Sequence, residues 1–306
     1  MLESAWWTAW GAPDGGPVPE ATLAAMRAQP RFHDAIAHAL RSVLQLVDGD
    51  AEFHRTTQDL ESLILATVAL YLDATGDLTH RRLRQVAGVQ GMLSGSRVSA
   101  LLMRMQMIGF VRAEAGHAPG TAKVYRPTPR MISAYRGWLR AMLEAVEVMA
   151  PEPAVFSRRL DEPEAFRAFM AVLGKRILDG VEASRGVAVG ADREAFFAIG
   201  AQRGGNLVLF ALLDAAAAQA GHFPAAGPVS VSVSALARRG RVSRTQILKI
   251  LRRADEAGLF VRGAGEGEGE VRPSLVEATE LFYAGVFADV AIAAHDSLSD
   301  PPVTSR

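Results

Sequence analysis

Two stretches of this chain share one pattern, and the pattern specifies both a helix and its end. Ser94–Arg112 reads SGSRVSALLMRMQMIGFVR, and Ser243–Arg262 reads SRTQILKILRRADEAGLFVR. With Ser94 set on Ser243 they run without a gap to Gly109 and Gly258, and both then lead through apolar residues to Val and Arg. Apolar residues fall at Val98, Leu101, Leu102, Met105 and Ile108 in one, and at Ile247, Ile250, Leu251, Ala254 and Ala257 in the other. That i, i+3, i+4, i+7 spacing predicts a helix with one buried stripe. Gly109 and Gly258 suit a left-handed residue that ends it.

What surrounds each copy also repeats. Each half opens with a Phe-led helical stretch, FHDAIAHALRSVLQLVDG from Phe32 and FRAFMAVLGKRILDGVEA from Phe166. A more apolar helix follows, at Ser62–Ala74 and at Gly205–Ala216. Next comes a short-strand step into another helix, with Thr79 and Ser232 placed as N-caps four residues before Leu83 and Leu236. After the shared stretch, a hairpin with a Gly-rich tip returns through YRPT (Tyr125–Thr128) or VRPS (Val271–Ser274), which reads as one architectural point used twice. Long helices close the halves, from about Arg130 to Met149 and from about Leu275 to Ala294.

The order in each half is helix, helix, short strand, helix, helix, two-stranded wing, helix. This resembles the winged helix-turn-helix of the MarR-type transcriptional regulators, over roughly residues 30–150 and again 165–295. The fold expected is mainly α with small β-wings: two winged helix-turn-helix domains whose long flanking dimerisation-type helices form a pseudo-dimer in one chain. The divisions are a Trp-containing arm (1–29), a first half (30–150), a linker (151–164), a second half (165–296) and a tail (297–306). The resemblance implies a sequence-specific DNA-binding regulator of a pseudo-palindromic or asymmetric operator. It also implies a small aromatic effector bound between the dimerisation helices and the wing domain, and a monomeric pseudo-dimer or a homodimer. The alternative is an adaptor or anti-regulator whose winged helices bind a protein partner.

A recognition helix presents its outward N-terminal side chains to base edges. With the stripe inward, those positions are Arg244, Thr245, Gln246 and Lys249, with Ser243 at the helix head. In the first copy they are Gly95, Ser96, Arg97 and Ala100, with Ser94 at the head. Arg bridges guanine, Gln bridges adenine, and Ser or Thr serves either. The backbone contacts expected are Arg81, Arg82, Arg84, Arg104, Lys123 and Arg126 in one half, and Arg238, Arg239, Arg241 and Arg253 in the other. Local charge agrees: Leu78–Ala113 holds six arginines and no acid, and Val231–Arg262 holds seven arginines and Lys249 against Asp255 and Glu256. The chain as a whole balances 33 basic with 33 acidic residues, so attraction to a polyanion must be local.

The copies differ in their wings. The first tip, Ala113–Arg126, carries His117, Lys123 and Arg126 and suits the minor groove and phosphates. The second, Gly263–Arg272, carries Glu266, Glu268 and Glu270, which phosphate would repel. That tip is expected to point away from DNA, to be disordered or to meet a basic partner. The first copy also has four extra residues between its two helices, within VQGMLSGS.

Other chemistries find little footing. The chain has no cysteine, which excludes disulfides, thiolate metal sites and thiol nucleophiles. Its seven histidines are scattered, and no P-loop, nucleophile elbow or dinucleotide fingerprint occurs. No enzyme activity, metal or cofactor is expected. Trp6, Trp7 and Trp10 suit an arm packed over a helix interface, or else one that caps a pocket or docks on a partner. Phe196, Phe197, Phe210, Phe282, Tyr283 and Phe287 suit ordinary core packing around the second half's long helices. The start lacks a secretory pattern and no apolar run reaches membrane-spanning length, so a cytoplasmic, nucleoid-associated protein without membrane contact is expected.

Overall fold

A computed structural model of the chain describes residues 18–49, 54, 59–89, 94–114, 123–149, 156–183 and 190–298. The Trp residues of the arm, His117, the QGML segment (90–93), residues 151–155 of the expected linker and the tail beyond Leu298 lie outside them. Among the described residues the fold is mainly helical, with two small antiparallel sheets. The chain forms α1 (Glu20–Arg27), α2 (Phe32–Gly49), α3 (Leu60–Ala74), α4 (His80–Val89) and α5 (Gly95–Met107). The hairpin β1 (Val111–Ala113) and β2 (Tyr125–Pro127) leads to α6 (Pro129–Met149), α7 (Phe156–Arg159) and α8 (Pro163–Ala183). Then follow α9 (Ala191–Gly200), α10 (Gly205–Ala220), β3 (Gly227–Ser230), α11 (Val233–Gly240) and α12 (Arg244–Glu256). β4 (Phe260–Arg262), β5 (Glu268–Val271) and α13 (Pro273–Leu298) complete the described chain.

Two compact units result, and each draws on both ends of the sequence. One comprises Met1–Met26, Ile64–Val187 and Gly285–Arg306; the other comprises Arg27–Leu63 and Ala188–Ala284. The first unit thus holds α4 and α5 together with α8, and the second holds α11 and α12 together with α2. The division falls inside α13.

In the second unit the strand order is β3-β5-β4, with β5 antiparallel to both neighbours. Ile247, Ile250, Leu251 and Ala254 of α12 are buried, as their spacing predicts, while Ala257 is only half-buried. Burying a side chain of this size contributes roughly 1.5–3 kcal/mol, so this stripe outweighs any surface contact the helix makes. Phe282 lies 5.5 Å from Phe196 and 5.2 Å from Tyr283, whose ring is 6.1 Å from Phe210. These aromatic rings form the core contacts expected of them.

The first unit has the same kind of helix stripe, with Val98, Leu102 and Met105 buried and Leu101 and Ile108 half-buried. Its expected short strand before α4 is a single bridge, Thr79 to Val124. Gly109 and Gly258 stand at φ 74° and 71°, the left-handed stop that a Cβ would strain.

The repeated Arg-Pro-Thr/Ser motif turns out not to mark equivalent places. Pro127 pairs with Val111, whereas Val271, which precedes the second Arg-Pro, pairs with the corresponding Phe260. Arg126-Pro127 therefore lies within a strand, and Pro273 begins α13 just as Pro129 begins α6. The hydroxyls still converge on one task from these offset positions. Thr128 Oγ1 donates to the Gly109 carbonyl at 2.6 Å, and Ser274 Oγ donates to the Gly258 carbonyl at 2.8 Å. Each ties the root of the closing helix to the end of the shared helix.

A charged pair sits inside the first unit. Arg176 Nε donates to Asp289 Oδ1 at 3.2 Å, with side chains only 5% and 25% exposed. Burial pushes the Asp289 carboxyl upward, and Arg176 opposes that shift. Removing one partner of such a pair leaves a buried charge uncompensated. Asp289→Ala is expected to destabilise the protein by about 3–5 kcal/mol in urea unfolding, and replacing both residues with apolar ones of similar volume is expected to recover most of that.

Candidate functional site

Serine caps position both shared helices. Ser243 Oγ accepts from the Gln246 N–H at 3.1 Å, and Ser94 Oγ accepts from the Arg97 N–H at 3.3 Å. The preceding helices are capped alike, by Ser232 on the Ala235 N–H at 3.2 Å and by Thr79 on the Arg82 N–H at 3.1 Å. Ser94 and Ser243, expected to read bases, thus act first as caps, their oxygens committed to the backbone. A cap of this kind is worth about 1 kcal/mol.

Beyond Ser243, Arg244, Thr245 and Lys249 are exposed on α12 and Gln246 is half-buried. The Gln246 amide leans back to the Arg203 carbonyl at 3.4 Å, a long and therefore weak bond. Arg244 Nη2 donates to Glu266 Oε1 at 2.6 Å, with the two side chains 59% and 44% exposed. The acidic wing is therefore not remote from α12 at this carboxylate, which stays exposed: its basic partner is the first residue of the helix. Its other acids are engaged too, Glu268 accepting from the Gly265 N–H at 3.1 Å and Glu270 pairing with Arg272 at 3.2 Å. A neighbouring ion pair, Arg262 to Asp255 at 2.9 Å, ties β4 to the end of α12.

Two arginines expected on the DNA backbone are held by the protein instead. Arg239 reaches Asp48 of α2 through two bonds, 2.8 Å and 2.6 Å, and adds the Leu44 carbonyl at 3.3 Å. Arg126 donates to Glu114 at 2.6 Å and to Asp73 at 3.2 Å, and these two carboxylates hold its guanidinium protonated above its usual range. The bidentate fit of one guanidinium to one carboxylate explains the Arg239 contact, and two separate carboxylates hold Arg126. Arg82 pairs with Asp77 at 3.1 Å and donates to Gln85 at 3.1 Å. Lys123 lies over the Tyr125 ring at 5.9 Å. Arg81, Arg84, Arg238, Arg241 and Arg253 are exposed, Arg104 is half-buried, and Ser96 and Arg97 are exposed on the first turn of α5.

Four features were not anticipated. Gly95 does not simply face outward: a Cβ built there would lie 2.5 Å from Arg84 Nη2, so the missing side chain leaves room for that guanidinium over the first turn of α5. A glycine at a first helical position is the sequence signal that could have shown it. Ser99 Oγ donates to the Gly95 carbonyl at 2.9 Å and so accepts from His80 Nε2, also at 2.9 Å, locking α4 to α5. Arg241, in the turn before α12, holds φ 49°, a backbone region costly for a residue with a Cβ.

His54 is the fourth. It is buried to 2% exposure within the second unit, and its Nε2 has no hydrogen-bond partner. Burial pushes its pKa down; a hydrogen bond to the Gly240 backbone opposes this, Arg241 and Arg203 lower it further, and Asp48 raises it. The ring is thus a neutral plug beneath the turn that leads into α12. A cleft of about 440 Å³ in the same unit is lined by Asp34, Arg41, Asp214, His222 and Phe223 among others.

No family model, curated protein or solved structure matches this chain. Among the described residues no group of three or more metal-ligating side chains is placed to hold an ion, and no single helix is long and apolar enough to cross a membrane.

The depressed His54 pKa predicts a pH dependence. The unfolded chain takes up the proton near the ordinary value of 6.5 and the folded chain only at lower pH. Stability from this group is therefore complete above 6.5 and is lost as pH falls through the folded value. Melting temperature measured from pH 8 to 5 is expected to drop on the acid side, and the drop is expected to be shallower in His54→Gln.

Proposed function

We propose that the chain is a sequence-specific DNA-binding transcriptional regulator, with a winged helix-turn-helix in each unit and the two arising by internal duplication into a pseudo-dimer. The observation that carries the reading is the construction of α12. A serine-capped helix with its apolar stripe buried presents Arg244, Thr245 and Lys249 at its exposed start, next to a two-stranded hairpin. The matched features of the two units support the duplication: serine caps, left-handed glycines, and a hydroxyl returning to each glycine carbonyl. Arg241 supports the DNA contact, because an exposed arginine retained at φ 49°, where glycine costs less, suits a residue kept for its charge.

In this reading Arg244 and Gln246 meet one half-site and Ser96 and Arg97 another, about ten base pairs away. Arg81, Arg84, Arg238, Arg241 and Arg253 take phosphates. Arg126 and Arg239 brace the units and have no direct part.

The adaptor alternative has one observation in its favour, the neutralisation of Arg244 by Glu266. A salt titration on random duplex DNA separates the two readings. With about six phosphate contacts, the regulator is expected to lose on the order of a thousandfold in affinity between 50 and 200 mM salt. An adaptor would bind weakly at both. Glu266→Gln is expected to strengthen binding to every duplex several-fold, since it removes a phosphate-repelling charge and releases Arg244. The same change in an Arg244→Ala background is expected to give a smaller gain, as fluorescence anisotropy would reveal.

A further inference from the structure

The outward face of α5 differs from that of α12 in a way that basic charge does not explain. On a helix, positions 96, 100, 103 and 107 share one face. In α5 these are Ser96, Ala100, Met103 and Met107, all exposed, and the buried Val98, Leu102 and Met105 lie on the opposite side. Met103 is 62% exposed and Met107 80%. At the corresponding places on α12 stand Thr245, Lys249, Arg252 and Glu256, the last two an ion pair at 3.6 Å. The uncharged stripe is therefore a property of this helix and not a requirement of its architecture.

The surroundings of the stripe indicate what covers it. Arg81, Arg84 and Arg112 are exposed on the same unit, and residues 78–113 contain no carboxylate. A wholly apolar helix from a protein partner would gain nothing from those arginines, whereas a surface that offers apolar groups beside anionic ones would match them. The major groove of an A·T-rich duplex is such a surface, with thymine methyl groups on its floor and phosphates on its walls. From Ala100 to Met107 the helix advances about 10 Å, which is close to three base-pair steps. Methionine side chains are unbranched and adapt to the spacing of the groups they meet.

Resting on the DNA-binding reading above, we propose that α5 is a thymine-methyl reader: Ala100, Met103 and Met107 seat on the 5-methyl groups of an A·T-rich half-site while Arg81, Arg84 and Arg112 contact its phosphates. The two half-sites then differ in chemistry. α12 selects hydrogen-bonding base edges, and α5 selects methyl groups.

The test replaces thymine with uracil, which removes only the 5-methyl group. Binding sites are first selected from random duplex DNA with the full chain, and the best site is then synthesised with deoxyuridine in place of thymidine. Affinity is expected to fall about fourfold for each methyl group contacted, the fold-change that follows from burying one group of that size. The double variant Met103→Ala, Met107→Ala, whose changes are exposed and whose fold is checked by circular dichroism, is expected to bind the two duplexes with nearly equal affinity. If the native chain binds both duplexes equally and with the same salt dependence, the methyl-reading inference is overturned while the DNA-binding reading stands. The inference also fails if the double variant still discriminates against uracil. If no duplex binds at low salt, the DNA-binding reading itself fails and this one with it.

Discussion

The exposed face of α12 depends on the burial of Ile247, Ile250, Leu251 and Ala254. A helix has one degree of freedom about its own axis, and four apolar side chains on one stripe remove it. Once they are inside, Arg244, Thr245 and Lys249 have no position other than outside. Val98, Leu102 and Met105 do the same for α5, and so deliver Ala100, Met103 and Met107 to the surface. The serine caps and left-handed glycines then set where each helix starts and stops. Thr128 and Ser274 fasten the closing helices to those stops.

Charge is distributed over this frame in three grades. Arg176 and Asp289 are buried together, and neither can be released without leaving the other stranded. Arg239 and Arg126 make half-exposed bidentate or doubly paired contacts that hold elements within their own units. Arg244 and Glu266 are both well exposed, and a pair of that kind is worth about 0–1 kcal/mol. Only this last grade can be exchanged cheaply for another partner. The wing carboxylate is therefore a weak partner of Arg244 at the start of α12, not a lock. A neutral chain with locally basic surfaces has to be understood pair by pair, because the same residue type serves as brace, competitor or contact according to its neighbour.

The units draw on both ends of the sequence, and this shapes what each contains. α2 supplies Asp48 to Arg239 of α11, about 190 positions away, so the second unit is closed by a helix from the chain's opening. His54, from the same opening segment, lies under the Gly240–Arg241 turn. The orientation of α12 is thus supported by residues far outside the contiguous stretch that contains it.

Much of this was legible in the sequence. The apolar spacing located the shared helices and their outward residues, Gly109 and Gly258 marked their ends, and Thr79 and Ser232 marked the caps before them, because these are short-range rules that act within a few residues. The same rules misjudged the Arg-Pro-Thr/Ser motif, since strand register is decided by pairing with Val111 and Phe260 and not by the tripeptide itself. They also could not tell Arg239 from its neighbour Arg238, or Arg126 from Arg81. An arginine's role depends on whether a carboxylate reaches it, and Asp48 and Asp73 arrive from remote helices. The acidic wing shows the same division. Its composition alone left the tip to point away, to be disordered or to meet a basic partner, and only the fold of the hairpin beside α12 decided that Glu266 meets Arg244, because hydrogen bonds act over about 3 Å while sequence separation says nothing about that distance.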